Sequence, residues 1–454
     1  MRTIANVKVV GLFGYVNHEV EFTRDSPITI ITGPNGSGKT HFLRILNGLM
    51  TLDLRTLASV DFHSIEVQFT DRWLLGIQRI EEGQKVSGFR LYGKKPLARK
   101  QQEVIFPYQE SEDNSVDIPE YFTRLPDGGW YDMRLDRVIP PVQAKRWGLP
   151  DASSALRQVR GKWAEELYLD AKAILVDTQR LDAVPAYPKT HNRTINPVRP
   201  VEHLTKIRLY INQVAAQLSE ARRQSLDESL EADQTFAARV LQKARAPINE
   251  KDLKARYQRI ADQHAELHAS GISVRPVDVR FPEERTTPTE RRILNVFLDD
   301  WERKLKPMLP IHEKIKSLRR IVETKFVGKE MFLSPGGRIR FRSRANGHPV
   351  SVNSLSSGEQ HLLAVFTMLL FSAGRGSLVL LDEPEISMHA AWKHAFLSDI
   401  AEVARISDLQ IVLATHSSAI IHGNWQLVQE LEAPEFGEVH VDLLGNDDDL
   451  EGEV

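Results

Sequence analysis

The chain contains no cysteine. That excludes disulfides, thiolate zinc sites and cysteine nucleophiles together. Long apolar runs are also missing: none reaches the roughly eighteen residues that a membrane-spanning helix needs. The opening stretch, MRTIANVKVV, lacks the apolar core of a signal peptide, so a cytosolic protein with no membrane partner is expected. Nor is there an excess of one charge. Lys and Arg number 59 against 61 Asp and Glu, a net of −2, so any nucleic-acid surface must be a local patch. What remains is an ordinary globular composition, 41% hydrophobic and 26% charged, over 454 residues. A chain of this length suggests two or three domains.

Residues 1 to 32 hold three strand-like runs, TIANVKVVGL, HEVEFT and ITIIT. The last feeds directly into GPNGSGKT, residues 33 to 40, which fits G-x-x-x-x-G-K-[ST] at every fixed position. HFLRILNGL follows at helical spacing, completing the strand, loop and helix order of a P-loop. Alternating runs such as SIEVQF and WLLGIQRI, between about 60 and 92, read as antiparallel strands. Residues 94 to 150, rich in Pro, Gly and charge, read as surface loops, with KKPLARK their one basic cluster.

A buried strand, AILVD, comes at 173 to 177. From about 202 to 325 the pattern is mostly helical and highly charged, with proline breaks, and it suits a short helical hairpin or stalk. Strands resume at KEMFL and RIRFRSR. The chain ends in NDDDLEGEV, expected to be a solvated acidic tail. The expected divisions are a first head lobe over 1–200, a helical insertion over 201–327, a second head lobe over 328–433 and the tail over 434–454.

In the glycine loop, Asn35, Gly36, Ser37 and Gly38 would turn backbone N–H groups toward phosphate oxygens at the positive end of a helix. Lys39 would add a point charge to the β and γ phosphates, and Thr40 a hydroxyl to Mg²⁺. Further on, the apolar strand SLVLLDEPE delivers Asp382 and Glu383 to its C-terminal end, where open α/β sheets bind ligands. Asp382 is the candidate Mg²⁺ ligand and Glu383 the candidate general base for an attacking water. IVLATHSS is another buried strand, ending at His416, a candidate γ-phosphate contact.

NSLSSGEQHLL, residues 353 to 363, is a second polar, glycine-containing turn opening a helix. Ser356, Ser357, Gly358 and Glu359 can form an anion site at that helix start. An ordinary capping box between Ser356 and Glu359 is equally compatible with the pattern. One nucleotide does not need two cradles from one chain. Two copies packed head to tail, with ATP between the P-loop of one and LSSGEQ of the other, would use both.

Taken together, GPNGSGKT, LSSGEQ, LVLLDEPEISMH and LATHSS, in this order and split by a helical segment, resemble an ABC-type ATPase head. The similar branch holds the structural-maintenance, Rad50, RecF and overcoming-lysogenization proteins. The resemblance implies an α/β fold, a mixed sheet with flanking helices and an inserted helical or coiled-coil subdomain. It implies ATP and Mg²⁺ as cofactors, ATP hydrolysis, and assembly with further copies of the chain. It makes Gln179, in VDTQRL, the residue that senses Mg²⁺ and γ-phosphate, ahead of Gln68 and Gln78, and it puts Ser387 and His389 in a loop that crosses to the partner copy. Ser357 stands where the usual signature has a glycine.

The absence of Cys-x-x-Cys separates the chain from Rad50 types, and no Toprim-like segment follows His416. VDTQRL, SSGEQH and DEPEISMHAAW are most similar to ATPase subunits of anti-phage systems, the Septu type first and the PARIS type next. That implies a separate nuclease partner, of HNH or Toprim type. The alternative is a RecF-like repair clamp on DNA: Arg338, Arg340, Arg342 and Arg344 share one strand face, which suits phosphate tracking or a charged, solvated strand edge.

Overall fold

The computed structural model describes residues 2–432 except 24, 84, 109–121, 125–129, 133–136, 140–142, 144–157, 160–161, 171–172, 178–205, 243–248, 274–275, 277–279 and 387. Two sheets carry the architecture. The first is antiparallel, built from β1 (Ile4–Leu12), β2 (Val16–Glu21), β4 (Ser64–Phe69), β5 (Leu74–Glu82), β6 (Lys85–Lys94) and β7 (Gln102–Pro107), in the order β2-β1-β4-β5-β6-β7. The second is parallel, built from β3 (Ile28–Thr32), β11 (Ala173–Asp177), β15 (Leu378–Asp382), β16 (Gln410–Ala414) and β17 (Val428–Glu430), in the order β11-β15-β16-β3-β17. Smaller three-stranded sheets join β8 (Phe122–Arg124), β9 (Trp130–Asp132) and β10 (Arg137–Ile139), and β12 (Lys329–Leu333), β13 (Ile339–Ser343) and β14 (Pro349–Val350).

The central parallel strands are apolar throughout because both faces are covered. Leu378, Leu380, Val412 and Ala414 join one core, while Val379, Leu381, Ile411 and Leu413 join the other. Helix α1 (Lys39–Thr51) fills the first core. Its Phe42, Leu43, Ile45, Leu46 and Leu49, spaced three and four apart, pack between the parallel and antiparallel sheets. A short α2 (Leu54–Ala58) follows, capped by Asp53. A single side chain links the sheets at their other end: the Gln410 amide donates to Ile4 O and accepts from Ile4 N–H, both at 2.8 Å.

The second core is roofed by helices. After α3 (Glu165–Asp170) come α4 (Lys206–Gln242), α5 (Glu250–Ala269), α6 (Pro288–Leu305) and α7 (Leu309–Lys325). α6 starts with a full capping box, Thr287 with Glu290, and a proline in its first turn. Val214, Leu218, Ile260, Leu298, Ile315 and Leu318 share one apolar cluster with α8 (Ser357–Thr367) and α9 (Ala390–Ser407). Helix α10 (Ser418–Ile421) closes the list. None of the described helices is long and apolar enough to cross a membrane.

Two expectations are corrected. Residues 94 to 150 are not all loop: β7 lies on β6, with Phe106 fully buried, because the inward alternation of Val104 and Phe106 outweighs the flanking turn residues. The arginine stripe is only partly at a strand edge: β12 pairs along the length of β13, and on its other side the two-residue β14 covers Phe341 and Arg342.

α7 and α9 are joined by a buried ion pair. Lys325 and Asp399, 6% and 4% exposed, bond directly, and Arg320 reaches Asp399 at 3.2 Å. Asp399→Ala would leave Lys325 buried without its main counter-charge, so a loss of about 3–5 kcal/mol is expected. A lowered urea midpoint checks this. An unchanged midpoint would mean that the pair does not hold the two helices together.

Candidate nucleotide-binding site

The loop between β3 and α1 turns at glycines that nothing else can replace. Gly33 has φ 148° and Gly38 φ 91°; a Cβ at Gly33 would lie 2.6 Å from Leu431 O, and one at Gly38 2.5 Å from Leu12 Cδ2. Asn35 and Gly36 stand exposed at the tip, while Ser37 is buried. The loop is pinned from beneath by His18, whose ring bonds Ser37 O at 2.8 Å. A carbonyl only accepts, so the neutral ring carries its proton on Nε2. Burial lowers the His18 pKa from its usual 6.5.

Lys39, 6% exposed, donates from Nζ to Gly33 O and Pro34 O, each at 3.0 Å. Burial pulls its pKa down, opposed by the nearby charges of Glu383 and Asp382. Thr40 donates from Oγ1 to Asp382 Oδ1 at 3.1 Å. The two hard oxygen donors assigned to a divalent cation from sequence therefore touch, although 342 positions separate them.

Asp382 ends β15 in register with Ala414 at the end of β16. Glu383 extends that pairing, its N–H donating to Ala414 O at 2.9 Å, and then turns the chain with φ 46°, a left-handed conformation unusual for a glutamate. His416 Nε2 lies 3.6 Å from Glu383 Oε1, both side chains about one-third exposed. The parallel sheet thus sets the glycine loop, Asp382, Glu383 and His416 at one end.

Ser356 caps α8. Glu359 N–H donates to Ser356 Oγ at 3.3 Å, and Ser356 N–H to Glu359 Oε2 at 2.9 Å, so the capping box is real. Ser356 and Ser357 remain exposed, whereas Gly358 and Glu359 are buried. Burial alone would raise the Glu359 pKa, but Lys329 at 2.7 Å and the bonds with Ser356 outweigh it and hold the carboxyl below its usual range. His361, one turn on, bonds Pro384 O at 3.2 Å and so ties α8 to the turn after Glu383. His389 caps α9 through Nδ1. Gln179 and Ser387 lie outside the described residues.

Sequence reasoning assigned nothing to His18, Thr415 or Glu385. Glu385 accepts from the Thr415 hydroxyl and from His416 N–H, the latter at 3.3 Å. The repeated acid of DEPE was the only available signal.

A P-loop strand and a carboxylate-ending strand separated by one intervening strand, an antiparallel sheet across α1 and a helical segment between the two halves give the chain the fold of an ABC-type P-loop head. Residues 201–422 match the family model described as "AAA domain, putative AbiEii toxin, Type IV TA system", and residues 6–118 match one described as "AAA domain". No curated protein matches the chain. Among solved structures, it is similar to the Smc head domain with an extended coiled coil bound to the C-terminal domain of ScpA, from Pyrococcus furiosus. There the identity is 13%, with 93% of this chain and 91% of that one covered, at a TM-score of 0.37. The SMC head domain from Thermotoga maritima is 11% identical, with 95% and 94% covered, at a TM-score of 0.30.

His18 supplies a pH test. Its folded pKa lies below its unfolded value, so the unfolded chain takes the proton first, and its share of stability is intact above about pH 6.5 and lost as pH falls below it. His18→Asn should therefore flatten part of the fall in urea midpoint between pH 7.5 and 5.5. Removing the bond under the loop should also weaken nucleotide binding about tenfold, near the 1.4 kcal/mol of one buried hydrogen bond. Identical pH dependence in both proteins would rule the role out.

Proposed function

We propose that this chain binds ATP with Mg²⁺ in the glycine loop and hydrolyses it, with the nucleotide held between two copies. The convergence of Lys39, Thr40, Asp382, Glu383 and His416 at one sheet end is the observation that carries this reading. The donor set fits the cation: a hydroxyl and a carboxylate oxygen in contact are the hard ligands Mg²⁺ takes when phosphates and water complete its shell. When bound, the ion would neutralise charge on the transferring phosphoryl group. Lys39 would exchange its two carbonyl acceptors for phosphate oxygens, a stronger charge-assisted bond. Glu383 is placed to orient a water and take its proton, and His416, beside it, to contact the γ-phosphate. Ser356 and Ser357, exposed at the start of α8, suit the nucleotide of a second copy.

For the biological role, we favour an oligomeric ATPase of an anti-phage system that scaffolds and controls a separate nuclease. The support is resemblance of VDTQRL, SSGEQH and DEPEISMHAAW, together with the toxin–antitoxin wording of the matched family. A DNA-repair head is the second reading. β13 and the residue before it favour that reading: Arg338, Arg340 and Arg342 are exposed, and the first two line a cavity of about 290 Å³ with Arg208. Against it, Arg342 is paired with Glu330 at 2.9 Å and Arg344 with Glu323 at 3.1 Å.

Glu383→Gln should cut turnover by at least about a hundredfold, the usual contribution of a general base, while ATP still assembles the protein. Lys39→Ala should abolish ATP-dependent assembly. Phosphate release and light scattering read the two effects; an unchanged size distribution in both variants would sink ATP-bridged assembly. Affinity purification from its native neighbourhood should bring down a nuclease. Recovery of duplex DNA alone, with salt-dependent binding lost in Arg340→Glu, would move the role to repair.

A further inference from the structure

Glu385 is an acidic side chain near the phosphate end of the sheet to which neither the cation nor the attacking water assigns a task. It sits two residues beyond Glu383, yet its side chain points to the neighbouring strand end. Oε1 accepts both the Thr415 hydroxyl and the His416 N–H. Thr415 Oγ1 accepts in turn from Ser417 N–H at 2.9 Å, so one carboxylate oxygen and one hydroxyl fix three consecutive residues. The backbone of the Glu383 turn is closed on the same side: Ile386 N–H donates to Glu383 O at 3.2 Å, and Met388 N–H to Glu385 O at 3.0 Å. Glu385 Oε2 is buried and has no hydrogen-bond partner among the described residues. A half-satisfied buried carboxylate costs stability, so folding alone does not account for an acid at this position.

We propose that Glu385 is a positioning residue for ATP hydrolysis. It clamps the Thr415–Ser417 loop to the Glu383 turn, so that the His416 ring and the Glu383 carboxylate keep a fixed separation. This deepens the hydrolytic reading of the site and rests on it. Without the clamp, the register of β15 and β16 and the bond from Thr415 N–H to Ile31 O still hold the strand ends together, but the His416 N–H loses its acceptor and the Thr415 hydroxyl its anchor. Glu385 has no described hydrogen bond to the glycine loop or Thr40, so its loss is expected to act on turnover more than on nucleotide binding.

The test uses the full chain and three variants, Glu385→Ala, Glu385→Gln and Thr415→Val, with two readouts. In ATP turnover, Glu385→Ala is expected to lower kcat by about ten- to hundredfold, the scale of a misplaced reacting group, with KM within about threefold of the parent. Glu385→Gln keeps an oxygen that accepts both bonds and should recover most of the rate. Thr415→Val should fall between, and adding it to Glu385→Ala should cost little more, since both break one network. The second readout is amide hydrogen exchange over 414–418, which needs no activity. Glu385→Ala should exchange about tenfold faster there, while β15 and residues 410–413 of β16 stay protected.

Unchanged exchange over 414–418 in Glu385→Ala would overturn the proposal. So would Glu385→Gln with normal exchange and the low kcat of Glu385→Ala, because Glu385 would then act through its charge. A parent chain that turns over no ATP, yet loses protection in Glu385→Ala, would overturn the hydrolytic reading and leave the clamp standing as a structural contact.

Discussion

Everything at the phosphate end depends on the register of three buried parallel strands. β15 pairs with β16 and β16 with β3, so that Asp382 faces Ala414 and Ala414 faces Ile31. Each strand then ends at the same height, and each releases a different chemistry: the glycine loop, the carboxylate pair and the histidine. A slip of one residue in any of them would turn its apolar set to the wrong face, and both faces are packed. The cores on the two sides therefore specify the site. Stability and function share one constraint here, which is why the strands read as unbroken apolar runs rather than alternating ones.

The glycine loop is held by its surroundings as much as by its own turns. Leu12 and Leu431 leave no room for a Cβ at Gly38 or Gly33, and His18 fixes the Ser37 carbonyl from the antiparallel sheet. Backbone N–H groups at a helix start bind an anion well only if they do not have to rearrange. The antiparallel sheet thus does for the loop what the parallel sheet does for the carboxylates. It removes alternatives before a ligand arrives.

Much of this was legible in the sequence, and what was not has a physical reason. The glycine pattern and the apolar strands located Lys39, Thr40, Asp382 and Glu383, because local spacing determines how a strand ends and a helix begins. The capping box at Ser356 and Glu359 was equally readable, since it spans one turn. His18, Thr415 and Glu385 were not, because each acts by a contact across the sheet that no local period encodes. The helical segment was legible as an insertion of charged helices, but its docking was not: Val214, Leu218 and Leu298 bury the thin apolar stripe of α4 and α6 in the same core as α8.

That shared core bears on how the two halves of the site communicate. α8 begins at the exposed Ser356 and runs on to Phe371 and Ser372 through a wider turn at Met368–Ser372. There the Gln213 and Gln217 side chains of α4 bond Ser372 and the Phe371 carbonyl. Near its start, Glu359 is fixed by Lys329 of β12, and His361 bonds the carbonyl of Pro384, the residue after Glu383. A helix held at both ends and packed along its length moves as a body, because close-packed interiors shift between discrete arrangements rather than deform smoothly. Any force on Ser356 and Ser357 from outside is then delivered to two places: the helical roof through α4, and the turn that orients Glu383. The second route is a single hydrogen bond long. A contact that engages the start of α8 is in this way placed to shift the Glu383 turn without touching the glycine loop.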